Sequence, residues 1–434
     1  MPDPPQPHFS QKDLPLIHPK MDRREFLAAA GGLAAVSLLP SVLPAAVRLD
    51  QPLTIGLIGV GRQGRAILTE LATMESVKVV AVCDTDDNRL TSGKSRAAGA
   101  DGFADYKAML STVKALDAVI IATPTHQHRQ IAEDCIAAGK HVYCEAPLAH
   151  TAADAQAIAR AAAGMSSGKK VFAVGFEGRA NPVYQLARSF FRTDAFNDMI
   201  AMRAQFAQKT SWRFSAPDAD RERRQNWRLD KGVSTGMIGE IASHQLDVAH
   251  WYRGQLPVSV RATGGIRLWN DGREIADTVH AAFTYEDGAV FNWFGTLCSS
   301  FLGREEIFIG SSSTIKLGWS HGWMFKESDA PTQGWEVYAN KQQFHNDVGI
   351  TLIAGATKLA EQGKLKDGVG LPNSSLYYSL ESFIKAAAGQ GKVACSAADG
   401  ARSTIISILA NQALIEKGGG GELKIDPAVL KVEG

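Results

Sequence analysis

Thr54-Ile55-Gly56-Leu57-Ile58-Gly59-Val60-Gly61-Arg62-Gln63-Gly64 is the stretch that decides the fold. It reads as an apolar strand, a tight turn and the first turn of a helix. Gly59, Gly61 and Gly64 give the spacing G-x-G-x-x-G directly after the strand. In that spacing the first glycine permits the turn, the second lets backbone approach a pyrophosphate, and the third lets helix pack closely on strand. The helix start, with Arg62 and Gln63 in its first turn, offers free N–H groups and a partial positive charge to phosphates. A second apolar run, Val77 to Cys83, ends at Asp84, 25 residues after Gly59. A ribose-binding acid is expected about 20 residues on. Thr85, Asp86 and Asp87 follow it, so a 2′-phosphate would meet repulsion and no cation. NAD is the expected cofactor rather than NADP.

Working outward, short β-rich runs alternate with Ala-rich helical runs as far as residue 175. Ala118 to Ala122, His141 to Cys144 and Lys170 to Val174 read as further strands. Arg65 to Met74, His128 to Ala138 and Thr151 to Ala163 carry helical spacing. Repeated βαβ units predict a parallel sheet covered by helices, a Rossmann domain over residues 51–175. The texture then changes. A helical run from Asn181 to Thr193, a half-exposed strand from Ile200 to Ala207 and a charged loop from Trp212 to Lys231 precede a helix over Gly239 to Tyr252. Five alternating runs (Val258 to Thr263, Ala276 to Tyr285, Ala289 to Thr296, Glu306 to Ile309, Thr314 to Leu317) predict a mostly antiparallel sheet with one face covered. Helices over Ser375 to Ala388 and Ala397 to Glu416 complete a second α/β domain, residues 176–434.

The 434 residues suffice for two domains, and 45% hydrophobic with 21% charged residues suits a globular chain. A net charge of +1 argues against nucleic acid or an anionic membrane as partner. No later segment approaches the roughly 20 apolar residues of a membrane span. Near the start, Asp22-Arg23-Arg24-Glu25-Phe26-Leu27 leads into the mild apolar run Ala28 to Leu39. That pattern reads as a twin-arginine export signal, so residues 1–46 are set apart as a disordered start plus signal. The expected location is periplasmic, or cytoplasmic if the leader is not used. Free NAD is not expected in the periplasm, so an exported enzyme would carry its nucleotide and restore its redox state in each turnover. Cys83, Cys135, Cys144, Cys298 and Cys395 show no metal-like spacing and read as inert.

Three further signatures carry a resemblance: Ala122-Thr123-Pro124-Thr125-His126-Gln127-His128, Gly139-Lys140-His141-Val142-Tyr143-Cys144-Glu145-Ala146-Pro147-Leu148, and Gly239-Glu240-Ile241-Ala242-Ser243-His244-Gln245-Leu246-Asp247. With them the chain resembles the glucose–fructose oxidoreductase / inositol dehydrogenase / rhizopine-catabolism (Gfo/Idh/MocA) family over essentially everything after the leader. The resemblance implies a Rossmann domain, a second α/β domain with an open-faced sheet, and a dimer or tetramer. It implies a sugar or polyol lying over the nicotinamide, with Thr123, Pro124, His128 and Glu145 lining the nucleotide. Arg179 and Asn181 match the part of the family that approaches nicotinamide and substrate. Two departures stand out. The family usually carries Glu-Lys-Pro, whose lysine helps handle the hydroxyl proton, whereas this chain has Glu145-Ala146-Pro147. The family's Asp-x3-His segment keeps His244 but replaces the aspartate with Glu240.

Glu240 and His244 also stand on their own chemistry. Four apart on the expected helix, they share a face and can hydrogen-bond. A carboxylate so placed orients imidazole and raises its basicity, as proton abstraction from a sugar hydroxyl requires; the alternative is a surface ion pair. Asp247 reads as a structural partner, and His250 as either. Glu240 and His244 could share a metal, but His250, six residues on, leaves that face, and His321 or His345 could complete a set only through folding, so no metal is expected. In the charged loop, Trp227 is a candidate stacking platform and Arg228 and Lys231 candidate sugar contacts, against a merely solvated basic loop.

Three functions follow. The first is a redox-neutral, sugar-active enzyme with captive NAD. One version resembles glucose–fructose oxidoreductase, in which one sugar reduces the cofactor and a second reoxidises it. The other resembles the NAD-dependent glycosidases of the same superfamily, which oxidise at C3, eliminate the aglycone, add water and reduce the ketone back. The second is an ordinary sugar or polyol dehydrogenase with exchangeable NAD. The third is a non-catalytic sugar-binding protein.

Overall fold

The glycine-flanked run becomes β1 (Leu53–Ile58), which is apolar because it is buried on both faces at the centre of a six-stranded sheet. The computed structural model describes residues 49, 51–165, 169–191, 193–334, 336, 339–354, 370–416 and 419–432. The twin-arginine stretch and its apolar run lie outside the described residues. Beside β1 run β2 (Val77–Cys83), β3 (Asp101–Phe103), β4 (Ala118–Ile121), β5 (His141–Cys144) and β6 (Phe172–Val174). All pairs are parallel, in the order β3-β2-β1-β4-β5-β6. The order reverses between β1 and β4, which opens a crevice beyond the carboxyl ends of these strands. Covering helices are α1 (Arg62–Leu71), α2 (Asp87–Arg96), α3 (Tyr106–Thr112), α4 (His128–Ala137) and α5 (Ala152–Ala163).

The second half begins with α6 (Pro182–Phe190), β7 (Met199–Ala207) and α7 (Ala219–Gln225), then α8 (Ser243–Arg253). It continues with β8 (Ser259–Gly265), β9 (Thr278–Thr284), β10 (Val290–Thr296), β11 (Arg304–Gly310), β12 (Ser313–Leu317) and β13 (Gly322–Lys326). Then come β14 (Lys341–Phe344), β15 (Asp347–Thr351), α9 (Ser375–Ala387), α10 (Ala397–Glu416) and β16 (Glu422–Lys424). Ten strands form one sheet, β14-β15-β13-β12-β11-β7-β10-β9-β8-β16. Every pair is antiparallel except β7 with β10. α8 and α10 cover one face. The other face presents Arg203, Arg261, His280 and Asn292 around a shallow concavity of about 420 Å³. No described helix is long and apolar enough to cross a membrane.

The C-terminal helices bind the two halves together. Leu376, Leu380 and Phe383 of α9 share a core with Ile55 and Leu57 of β1 and Ile67 of α1. Val174 N–H donates to the Cys395 carbonyl at 3.1 Å, extending the edge at β6, and α10 packs along α5. A buried ion pair pins the same junction. Arg179, just after β6, donates from Nε and Nη2 to Asp247 of α8, both at 2.8 Å. Its Nη1 lies 3.1 Å from Asp399 of α10, and Ser403 Oγ donates to Asp247 at 2.8 Å.

Removing one partner of a buried pair costs about 3–5 kcal/mol, because the other charge is left uncompensated. Asp247→Ala should therefore lose at least about 3 kcal/mol in urea unfolding. A loss under about 1 kcal/mol, the scale of an exposed pair, would show that Asp399 alone satisfies Arg179.

Candidate functional site

The turn after β1 is built for close approach. Gly59 has φ +92°, and a Cβ there would stand 2.6 Å from the Ala122 backbone; one at Gly64 would stand 2.0 Å from the Gly59 carbonyl. A Cβ on Gly61 would meet nothing within 4 Å, so the turn faces open space at that point. α1 starts there with no side-chain cap, leaving its first N–H groups free for an anion. Arg62 stands beside this end, its pKa lowered by burial and by its neighbours Arg228 and Arg65. Asp84 Oδ2 accepts from Val60 N–H at 2.8 Å and Oδ1 from Asp86 N–H at 2.9 Å. It thus ties the turn to β2, and each oxygen keeps a lone pair for a ribose hydroxyl. Thr123 Oγ1, at the end of β4, is buried with no hydrogen-bond partner. An open cradle, a free helix end, a cation and an orphaned hydroxyl fit a dinucleotide running across the sheet.

Beyond the strand ends lies a cleft of about 310 Å³. Gln63, Thr123, Glu145 and Ala146 line it from the first domain; Arg228, Glu240, His244, Arg304 and Trp319 line it from the second. Gln63 Nε2 donates to Glu145 Oε1 at 3.0 Å. Burial, and then the charge of Glu177, push the Glu145 carboxyl up to about 8. Ala146 adds no cation to offset this. His128, 1% exposed, sits with its ring nitrogens 3.0 Å from the Thr123 carbonyl and 3.3 Å from that of Leu148. It braces the turn behind the cleft, and Pro124 precedes the single 3₁₀ turn Thr125–Gln127.

The expected Glu240–His244 pair is corrected. Ile238–Ala242 form a π-helical turn ahead of α8, a wider turn common at functional sites. Glu240 Oε1 accepts from Thr235 Oγ1 at 2.7 Å and Thr125 Oγ1 at 3.3 Å, and Oε2 from Arg228 Nε at 3.2 Å. None of its bonds goes to His244. The His244 ring stands edge-on to Phe176, centroids 5.3 Å apart, with Nδ1 buried and without a partner. Burial and the nearby Arg304 hold its pKa down at about 3, so it is neutral rather than a strengthened base.

Other expected contacts are also placed elsewhere. Arg179 is spent on the junction ion pair. Asn181 is fully buried; its Oδ1 caps α6 through Val183 N–H at 2.9 Å, and its Nδ2 donates to the Trp319 carbonyl and Ser375 Oγ. Lys231 pairs with Glu274 at 3.1 Å on the surface, outside the cleft. Trp227 packs against the guanidinium of Arg228 and lies edge-on to His126. His250 contacts Ser403, and among the described residues no His, Cys, Asp and Glu cluster is placed to hold a metal.

Sequence reasoning missed Glu177, Thr125, Arg304 and Trp319. Arg304 lies 3.3 Å from the centroid of the Trp319 ring, and its Nε and Nη2 are buried without hydrogen bonds. Nothing local marks it, since it opens an ordinary strand 60 residues after His244. The charged loop proved partly helical: α7 reaches the first domain, where Arg221 Nη2 lies 3.0 Å from Asp86 Oδ2.

The family model described as "Oxidoreductase family, NAD-binding Rossmann fold" (GFO_IDH_MocA) matches residues 53–176. The "GFO/IDH/MocA C-terminal domain" model matches residues 184–313. Levoglucosan dehydrogenase from Pseudarthrobacter phenanthrenivorans is 29% identical over 214 residues, covering 47% of this chain and 52% of that one. A glycosyl hydrolase family 109 protein from Stenotrophomonas maltophilia is 37% identical over 135 residues, 29% of each chain. The chain therefore spans about half the length of the first relative and less of the second. A structure of levoglucosan dehydrogenase in complex with NADH and L-sorbose matches at TM-score 0.69 and 21% identity, over 87% of this chain and 99% of that one, a likeness of fold.

With its carboxyl raised to about 8 from an ordinary value of 4.5, Glu145 stabilises the nucleotide-free fold when protonated. That contribution is full below about 4.5 and is lost as pH rises through about 8. Glu145→Gln should flatten this decline in thermal unfolding of the nucleotide-free protein; an unchanged slope would refute the assignment.

Proposed function

Because the chain belongs to the Gfo/Idh/MocA oxidoreductase family, we propose that it oxidises a carbinol of a carbohydrate with NAD that stays bound through a redox-neutral cycle. We place the cycle in the periplasm, after twin-arginine export, in a homo-oligomer. The observation that carries the captive nucleotide is the α7 contact. Arg221 donates to Asp86, two residues beyond Asp84, so a helix of the second domain is latched across the ribose end of the nucleotide site. Both partners are mostly sheltered, with side chains 24% and 19% exposed.

Bound in the cradle, NAD supplies a hydride acceptor and donor at the cleft. The chain's own residues do the rest. The free N–H groups of α1 and the Arg62 guanidinium hold the diphosphate, and Asp84 accepts from ribose hydroxyls. Thr123 Oγ1 and the Glu145 carboxyl, largely protonated at neutral pH, are donors at the nicotinamide end. Glu240 and Arg228 present a fixed polar wall to sugar hydroxyls, and the Trp319 indole, backed by Arg304, offers an apolar face. His244 Nδ1 has an open hydrogen-bonding position for the reacting hydroxyl. The cleft of about 310 Å³ would be shared by the nicotinamide and the carbohydrate lying over it.

Of the redox-neutral versions, oxidation–elimination of a glycoside is favoured by Ala146 in the Glu-Ala-Pro triplet and by the glycosyl hydrolase relative. The likeness to levoglucosan dehydrogenase supports a second reading, a dehydrogenase with exchangeable NAD.

The test is to denature extensively dialysed protein and measure the nucleotide released. Near-stoichiometric NAD(H) supports the captive cofactor; an empty protein that rebinds NAD selects the exchanging dehydrogenase; one that binds none selects a sugar-binding role. Arg221→Ala should lose its nucleotide several-fold faster on dialysis, and an unchanged rate would remove the latch. His244→Ala should abolish turnover with nucleotide content intact, and activity within a few-fold of the parent would dismiss the role. Deuterium from heavy water at C2 of the product distinguishes elimination from simple hydride exchange.

A further inference from the structure

We propose that Glu177 is the catalytic proton acceptor of this cleft, taking the hydroxyl proton of the carbohydrate as it is oxidised and returning it on reduction. The inference deepens the function proposed above and rests on it.

The cleft contains no lysine among its described lining residues, and Ala146 can exchange no proton. Its walls carry five titratable candidates, and four are engaged or mismatched. Glu240 is held by Thr125, Thr235 and Arg228. His128 is locked between two carbonyls. Glu145 accepts from Gln63 and, raised to about 8, is mostly protonated. His244, held at about 3, is too weak a base to retain a proton. Among the described residues no hydrogen bond or ion pair engages the Glu177 carboxylate.

Backbone packing puts Glu177 in place. It follows β6 by three residues, in the 3₁₀ turn Glu177–Arg179. A Cβ on Gly175 would stand 2.7 Å from Glu145 Oε2, so the chain enters the turn pressed against that carboxyl. The next residue, Phe176, sets its ring against His244. A Cβ on Gly178 would stand 2.7 Å from Val248 of α8 and 3.9 Å from the Trp319 ring. Arg179 then anchors the turn to Asp247. Glu177 is thus held in the wall of the cleft that His244 also lines, close enough to Glu145 for its charge to raise that carboxyl.

Its electrostatic surroundings suit a two-way proton carrier. The charged groups that act on it or feel its charge are Arg304 of β11, Glu70 of α1 and Glu145 after β5. Burial raises its carboxyl to about 7, with Arg304 opposing and Glu70 adding to the rise. A group near the working pH can both accept and donate. In the step, the substrate O–H bond breaks and its proton passes to the Glu177 carboxylate. The O–H electron pair becomes the second bond of the carbonyl, while the hydride leaves carbon for the bound NAD. Reduction reverses each transfer.

The experiment uses full-length protein with its nucleotide, mixed with levoglucosan, myo-inositol, glucose and aryl glycosides, following nicotinamide absorbance in single turnover against pH. Glu177→Gln should retain the nucleotide yet react at least about 100-fold more slowly, without the inflection near 7. Glu177→Asp should recover part of the rate and the inflection. In parallel, ¹³C NMR of glutamate-labelled protein should show a carboxyl titrating near 7 that Glu177→Gln removes. A Gln variant within a few-fold of the parent with the same pH profile overturns the inference, as does a Glu177 carboxyl that titrates like an exposed glutamate. A parent protein that reacts with none of these sugars overturns the proposed function, and the inference falls with it.

Discussion

The buried pairing of Arg179 with Asp247 is the interaction on which the rest of the structure depends. A guanidinium only 9% exposed and a carboxylate with no exposure tolerate burial only when each satisfies the other. Their bidentate contact, with Asp399 and Ser403 added from α10, fixes three stretches far apart in sequence: the turn after β6, α8 and the C-terminal helix. The turn carries Glu177 and α8 carries His244, so the same pair that holds the two sheets together also sets the distance across the cleft. Asn181 acts alongside it by capping α6 and holding the Trp319 carbonyl and Ser375. Residues with the chemistry of substrate binders are thereby spent on positioning those that line the cleft.

Charge crowding is the second constraint. Glu145, Glu177 and Glu240 line one small space with Arg228 and Arg304 as its cations. Arg228 is committed to Glu240, and Arg304 stacks on Trp319 while its Nε lies 3.6 Å from the buried Glu306 carboxyl. With alanine at 146, Gln63 and Arg228 only partly offset the burial of Glu145, and Arg304 only partly that of Glu177, so burial drives both carboxyls toward neutral pH. The same burial strips His244 of its charge. The cleft therefore holds weakly acidic carboxyls and a neutral imidazole, a different acid–base balance from a carboxylate-strengthened histidine.

Much of this was legible in the residues. β1, the glycine turn and α1 follow from local sterics, and the antiparallel strands from alternation such as that of β9 and β10. The last helix was read at its observed bounds, Ala397–Glu416. α2 escaped notice because it buries little more than Gly93 and so lacks an apolar stripe. β14 was missed because it is largely exposed. The Glu240–His244 pairing failed because helical spacing says only which side chains share a face. Competing donors, here Thr125, Thr235 and Arg228, decide where a carboxylate actually binds.

The sequence by itself therefore determined the strand–turn–helix cradle, its NAD preference, the family and the alternation of elements. Each of these rests on neighbours within about 30 residues, the scale of one βαβ unit. Tertiary structure alone decided that Arg179 is structural, that α7 latches onto Asp86, and that Glu177, His244 and Arg304 meet in one cleft. Those outcomes depend on burial and on partners up to 220 positions away, as between Arg179 and Asp399. Local pattern carries no record of which distant charge will reach a buried group first.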